Sequence, residues 1–218
     1  MLLVPYGVDV TMYRWPVANF ALIGVVTAVS FAAFGAQPGE GLDLLTLRGM
    51  GLAGLFGHVL LHGGVMHLLG NMLFLWSFGN AVCAKMGNWT FAGLFFLLGA
   101  LAGTFHNLFD GAPAIGASGA INGVVGLFLV YFPRNDVQLF WTIFFRWGTF
   151  SLSAVWMILL WVAFDIWGAA SGGGGVAYWA HLGGFASGVA IGIASLKQGW
   201  VKMTKTECSL LQVLSGGR

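Results

Sequence analysis

The sequence predicts an all-α polytopic membrane protein with six transmembrane helices in one bundle, and three observations predict it. Only 7% of the 218 residues are charged and 58% are hydrophobic, with a mean hydropathy of +0.87. A soluble domain carries about 25% charged residues, so most of this surface must face lipid. Apolar runs of spanning length recur along the chain, separated by short polar breaks. Six spans put both termini on one side, and Arg14, Lys85, Arg134, Arg146, Lys197, Lys202, Lys205 and Arg218 fall there, against Arg48 alone on the other. That bias places both termini in the cytoplasm. Residues 1–15 read as a short cytoplasmic N-terminus, 16–196 as the six-helix membrane domain and 197–218 as a cytoplasmic tail.

Taken in order, Pro16 to Gly35 is long enough to cross the hydrocarbon core. It also exceeds the apolar region of a signal peptide, which favours a retained helix. Gln37 to Leu61 is a first loop too broken for a span and too apolar for water, as expected of a segment lying in the interface. Val65 to Ala84 and Trp89 to Phe109 are the second and third spans. Ser118 to Phe132 is the fourth; it is short, so its polar start is expected below the membrane surface, screened by neighbours. Phe150 to Trp167 is the fifth, Ala170 to Gly175 a glycine-rich loop and Val176 to Leu196 the sixth. The loops near 37–61, 110–117 and 169–175 then face outward. Cys83 and Cys208 sit in dissimilar settings and predict no structural disulfide. No repeat and no nucleic-acid motif is present.

Polar groups inside apolar runs carry the functional signal, because lipid rejects them unless they have a role or a partner. His67 and Asn71 are four residues apart, on one helix face. An imidazole N–H and an amide NH2 aimed at one point form an oxyanion-binding pair; the same two groups also serve as interhelical glue. Ser118 stands among Gly116, Gly119 and Gly123 at the outer end of the fourth span. His181 lies one turn into the sixth, at similar depth. Gly184, Gly188 and Gly192 give that helix a smooth face; Gly119, Gly123 and Gly126 do the same for the fourth. Two such faces pack closely and would bring His181 to Ser118 as the base that activates its hydroxyl. No carboxylate lies near either in sequence, so a Ser-His dyad is expected rather than a triad. Asp165, in the fifth span, needs a functional or structural partner. His106 reads as structural. His58 and His62, also four apart with His67 following, read as residues anchoring the loop or as a metal site, but Gly63-Gly64 interrupts any continuous helix.

The chain resembles the rhomboid intramembrane serine proteases over nearly its whole length, in their basic six-span form. His67 and Asn71 fit the family's His-x-x-x-Asn, preceded by His58 and His62 where its first-loop histidines stand. Gly116-Ala117-Ser118-Gly119 fits Gly-x-Ser-Gly, and Ala180-His181-Leu182-Gly183-Gly184 with Gly188 fits the sixth-helix motif. The resemblance implies Ser118 as nucleophile and His181 as general base. It implies oxyanion stabilisation by His67, Asn71 and the Ser118 backbone N–H, with no cofactor and no metal. Implied partners are transmembrane helices of other proteins, cut near the outer face within the lipid bilayer, with no nucleic acid. The resemblance also implies that the fifth helix and the 169–175 loop would act as gate and cap. Two departures stand out. The Trp-Arg pair that often marks the first loop is absent between Gln37 and His58. Asn122 also occupies the position, one turn after the nucleophile, where many members have an aromatic packing on the histidine. Asn122 either orients His181 by a hydrogen bond, or other packing holds the ring. A catalytically silent rhomboid-like protein binding transmembrane clients and a His-based metal-binding membrane protein are the alternative readings; the compact form points to a prokaryotic plasma membrane.

Overall fold

The computed structural model describes residues 2–35, 42–172 and 174–216. Gln37 and Arg218, used above for the first loop and the charge bias, lie outside the described residues. In chain order, β1 (Leu2–Val8) leads to α1 (Val17–Gly35). The first loop holds a 3-10 turn at Leu42–Leu45, the short α2 (Leu52–Gly57) and a second 3-10 turn at His58–Leu60. α3 (Val65–Phe74) and α4 (Asn80–Met86) make one span through a π-turn at Leu75–Gly79. Then come α5 (Asn88–Phe109), α6 (Ser118–Tyr131), the strands β2 (Asp136–Ile143) and β3 (Arg146–Ser153), α7 (Ala154–Ser171), α8 (Tyr178–Lys197) and α9 (Leu210–Leu214). Among the described residues, five runs are long and apolar enough to cross a membrane, and α6 is the shorter sixth. α1 has 19 residues and α6 has 14. At 1.5 Å per residue these are about 28 and 21 Å long, against a hydrocarbon core of about 30 Å. α6 is therefore about 9 Å shorter than the core it would have to cross.

α6 is the axis of the bundle and is buried along almost all of its length. α8 lies against it at a separation only glycine permits: a Cβ on Gly184 would sit 2.0 Å from the Gly119 carbonyl oxygen, and one on Gly188 would sit 1.9 Å from that of Gly123. Gly126 faces the Phe185 carbonyl in the same way, so both glycine faces read from the sequence meet. Without apolar–water contrast inside lipid, such close packing is a main source of helix association. The far end of the contact is locked too: the buried Tyr131 Oη and Ser195 Oγ lie 2.7 Å apart between α6 and α8.

The second span bends at its π-turn, and α1 supplies the polar group that the bend requires. Asn19 Nδ2 donates to the Leu75 carbonyl at 2.9 Å and to Asn80 Oδ1 at 2.8 Å. A backbone carbonyl released from the helical ladder inside lipid must find such a donor.

The helical bundle that the sequence predicts carries one small addition. β1, β2 and β3 form an antiparallel sheet in that order at the end of the bundle opposite the start of α6. Its pairing runs from Asp136↔Ser153 to Ile143↔Arg146, with Phe144 (φ 52°) and Phe145 forming the turn. Val137 and Leu139 point into the core, so the sheet closes the helix ends. Phe150 to Ser153, expected to open the fifth span, pair in β3 instead, and α7 begins at Ala154 and runs on to Ser171. Apolar strand residues at a helix junction mimic the composition of a span, which explains the displaced boundary. Both cysteines are free. At the sheet end, burial would raise the Glu207 carboxyl, but its bonds with Lys85 and Thr204 hold it below its ordinary value.

Candidate active site

Ser118 is the first residue of α6, and the loop before it is fastened to the first loop at three points. Leu47 and Ala114 exchange backbone hydrogen bonds at 3.0 and 3.1 Å. Gly116 N–H donates to the His58 carbonyl at 2.9 Å, and Ala117 N–H reaches His62 Nε2 at 3.5 Å. Gly116 has φ +129°, a conformation that excludes side chains, and a Cβ there would press on the His67 ring at 2.9 Å. The loop that presents the serine is thus built for glycine twice over.

The first-loop histidines act as struts in this arrangement. His58 Nδ1 donates to the Gly54 carbonyl at 2.8 Å, and burial pushes its pKa below the ordinary value. Ser30 Oγ donates to the Leu60 carbonyl at 2.9 Å, so the 2.9 Å contact with His62 Nδ1 has the imidazole donating. His62 is then neutral with Nε2 free to accept from Ala117. Burial, with His67 nearby, lowers its pKa to about 4, in agreement with that state. His106 Nε2 donates to the Ala112 carbonyl at 2.8 Å and steadies the start of the 112–117 loop. Among the described residues no group of three or more His, Cys, Asp or Glu has the geometry of a metal site.

His181, in the first turn of α8, places Nε2 2.9 Å from Ser118 Oγ. Its other nitrogen, Nδ1, is 2.9 Å from Asp165 Oδ1 on α7. The expected pair therefore has a third neighbour. Asn122 does not bond the imidazole: its amide donates to the Ser118 carbonyl at 3.0 Å, and both ring nitrogens of His181 are already engaged. Of the two readings given for Asn122, this geometry agrees with the one in which other groups hold the ring. Tyr178 sets its ring edge-on to His181, with centroids 6.2 Å apart, where an aromatic one turn after the serine is lacking.

A cavity of about 910 Å3 opens over this group, lined by His67, Asn71, Ser118 and His181 and rimmed by the 174–177 loop. Gly63 N–H approaches His67 Nδ1 at 3.3 Å, which leaves the ring proton on Nε2, beside Gly116. Asn71 Nδ2 gives one hydrogen to the His67 carbonyl at 2.8 Å and keeps a second. The first amides of a helix have no partner within it, so the Ser118 N–H joins these two as a donor. A hydroxyl, an imidazole and three donors line one space that admits water. Below it, a recess of about 210 Å3 is walled by Phe74, Asn122, Trp161 and Asp165.

Sequence reading left Asp165 without a partner. One signal was present: Asp165 and His181 stand eight residues either side of position 173, in two helices joined by a tight glycine-rich loop. Equal distance from a hairpin's turn means equal depth.

The Rhomboid domain family model matches residues 50–198, which hold every side chain just described except Ser30 and Leu47. Rhomboid protein 1, mitochondrial, of Saccharomyces cerevisiae is 33% identical over 154 residues, covering 63% of this chain and 40% of that protein. Rhomboid protease GlpG of Klebsiella pneumoniae is 28% identical over 144 residues, covering 66% and 49%. GlpG of an Enterobacter strain is 28% identical over 139 residues, covering 64% and 47%. The matches thus span less than half the length of each of these relatives.

Proposed function

This chain belongs to the rhomboid family, and on that premise we propose that it is an intramembrane serine endopeptidase that cuts transmembrane segments near the outer face of the membrane. The observation that carries the reading is the 2.9 Å contact of Ser118 Oγ with His181 Nε2 inside a cavity large enough for water and an unwound peptide. As Ser118 Oγ bonds to the scissile carbonyl carbon, its proton passes to His181 Nε2, and the carbonyl electron pair moves onto oxygen. His67 Nε2–H, Asn71 Nδ2–H and the Ser118 N–H receive that oxyanion. Such donors typically contribute about 3–4 kcal/mol each to the transition state. Collapse breaks the C–N bond and His181 returns the proton to the leaving amine. Water then attacks the acyl-enzyme with His181 again as base, which releases the new carboxyl terminus and restores Ser118.

Substrates are membrane proteins. A peptide bond in a regular helix is shielded by its own ladder, so a substrate must unwind locally, and residues of low helix propensity near the cut favour that. The glycines at 172, 174 and 175, beside the cavity, suit a cap that moves aside. The orientation follows the charge bias: sheet and termini cytoplasmic, cavity outward, in a prokaryotic plasma membrane. Incubation of the reconstituted protein with tagged single-span substrates, beside Ser118→Ala, tests the activity. Cleavage that persists in Ser118→Ala, or never occurs in wild type, defeats the protease reading, and the latter favours a client-binding rhomboid-like protein.

A further inference from the structure

We propose that Asp165 is a positioning residue that makes this site a Ser118–His181–Asp165 triad, an inference that rests on the protease reading above. Asp165 Oδ1 lies 2.9 Å from His181 Nδ1, opposite the nitrogen that meets Ser118. An ionised carboxylate accepts hydrogen bonds only. It therefore fixes the imidazole proton on Nδ1 and leaves the Nε2 lone pair for the serine proton. When Nε2 takes that proton the ring becomes a cation, and the neighbouring carboxylate stabilises it.

The setting is difficult to explain by packing alone. Asp165 lies within a helix whose neighbours Phe164 and Ile166 are 62% and 55% exposed on the lipid side, and a carboxylate there is costly unless it is used. Its side chain is only 14% exposed and turns inward to His181. The pairing is also built into the helix contact. One turn along α7 from Asp165, Gly168 receives the Tyr178 ring, with a Cβ there only 2.3 Å from Cζ. One turn back along α8 from His181 is Tyr178 itself. Two contacts in antiparallel register, 165 with 181 and 168 with 178, hold the carboxylate on the imidazole. Asn122, which could have oriented the ring, spends its amide on the Ser118 carbonyl.

The test uses full-length chain in proteoliposomes, a tagged single-span substrate, and 15N-histidine spectra. In wild type, the neutral His181 ring is expected to carry its proton on Nδ1. Asp165→Asn is expected to lower kcat about 100-fold with KM within about twofold, and Asp165→Glu to recover part of the loss. A clamp that merely holds α7 to α8 gives another result: Asp165→Asn melts earlier, with kcat and tautomer unchanged, and the proposal falls. If Asp165→Asn does not fold, the wild-type spectrum decides, since a neutral ring protonated on Nε2 overturns the triad. A wild type that neither cuts substrate nor labels at Ser118 refutes the protease reading instead, while the same spectrum still reads the Asp165–His181 bond.

Discussion

Replacing Gly184 by alanine tests whether the α6–α8 contact sets the geometry of the site. The added Cβ would lie 2.0 Å from the Gly119 carbonyl oxygen and 3.0 Å from its carbon, and ordinary contact begins at 3.4 Å. The atoms it meets are backbone, one residue after Ser118, so no rotamer relieves the clash. The two helices must part by about 1.4 Å, which takes the Ser118–His181 contact from 2.9 Å to about 4 Å, beyond hydrogen-bond range. A displacement of that size costs about 100-fold in rate, and overpacking costs about 1–3 kcal/mol in stability. The controls are Gly24→Ala and Gly93→Ala, where the new methyl meets nothing within 4 Å. The assay is cleavage of a tagged single-span substrate in proteoliposomes, with thermal unfolding measured on the same preparations. Gly184→Ala that cuts at the wild-type rate and melts with the controls would refute the claim that glycine packing brings base and nucleophile together.

Other outcomes follow from the same geometry. His67→Ala and Asn71→Ala are each expected to reduce kcat about 100- to 1,000-fold, with smaller changes in KM, because the His67 Nε2–H and the second Asn71 Nδ2 hydrogen are used on the developing oxyanion; a loss confined to KM contradicts that role. His62 is held neutral, with a folded-state pKa of about 4 against 6.5 for the free side chain. The unfolded chain therefore binds the extra proton first, so stability from this residue is complete above about pH 6.5 and is lost as pH falls toward 4. Thermal unfolding across that window, compared with His62→Gln, reads the difference. A wild-type slope that matches the variant removes His62 as the strut under Ala117.

The helical part of the fold was legible because lipid imposes simple rules: span length, charge bias and glycine period each leave a direct mark. The start of α6 at Ser118 and the meeting of Gly184 with Gly119 follow from them. The sheet was not legible, since β2 and β3 mix apolar and polar residues without a clean alternation and β1 pairs across more than 120 residues. At the site, residues sharing a helix face were readable, as His67 and Asn71 show. Asp165 was not, because sequence distance to His181 says little unless the two helices are taken as one hairpin. Asn122 kept two readings in the sequence for a related reason: its amide has a local partner, the Ser118 carbonyl four residues back, as well as the imidazole to choose from.

The measurement nearest the central claim is site-resolved labelling by a fluorophosphonate probe in proteoliposomes, read by mass spectrometry. One adduct on Ser118 is predicted for wild type, none for Ser118→Ala, and greatly slowed labelling for His181→Ala. An adduct on another residue, or equal labelling without His181, would contradict a nucleophile at Ser118 activated by His181.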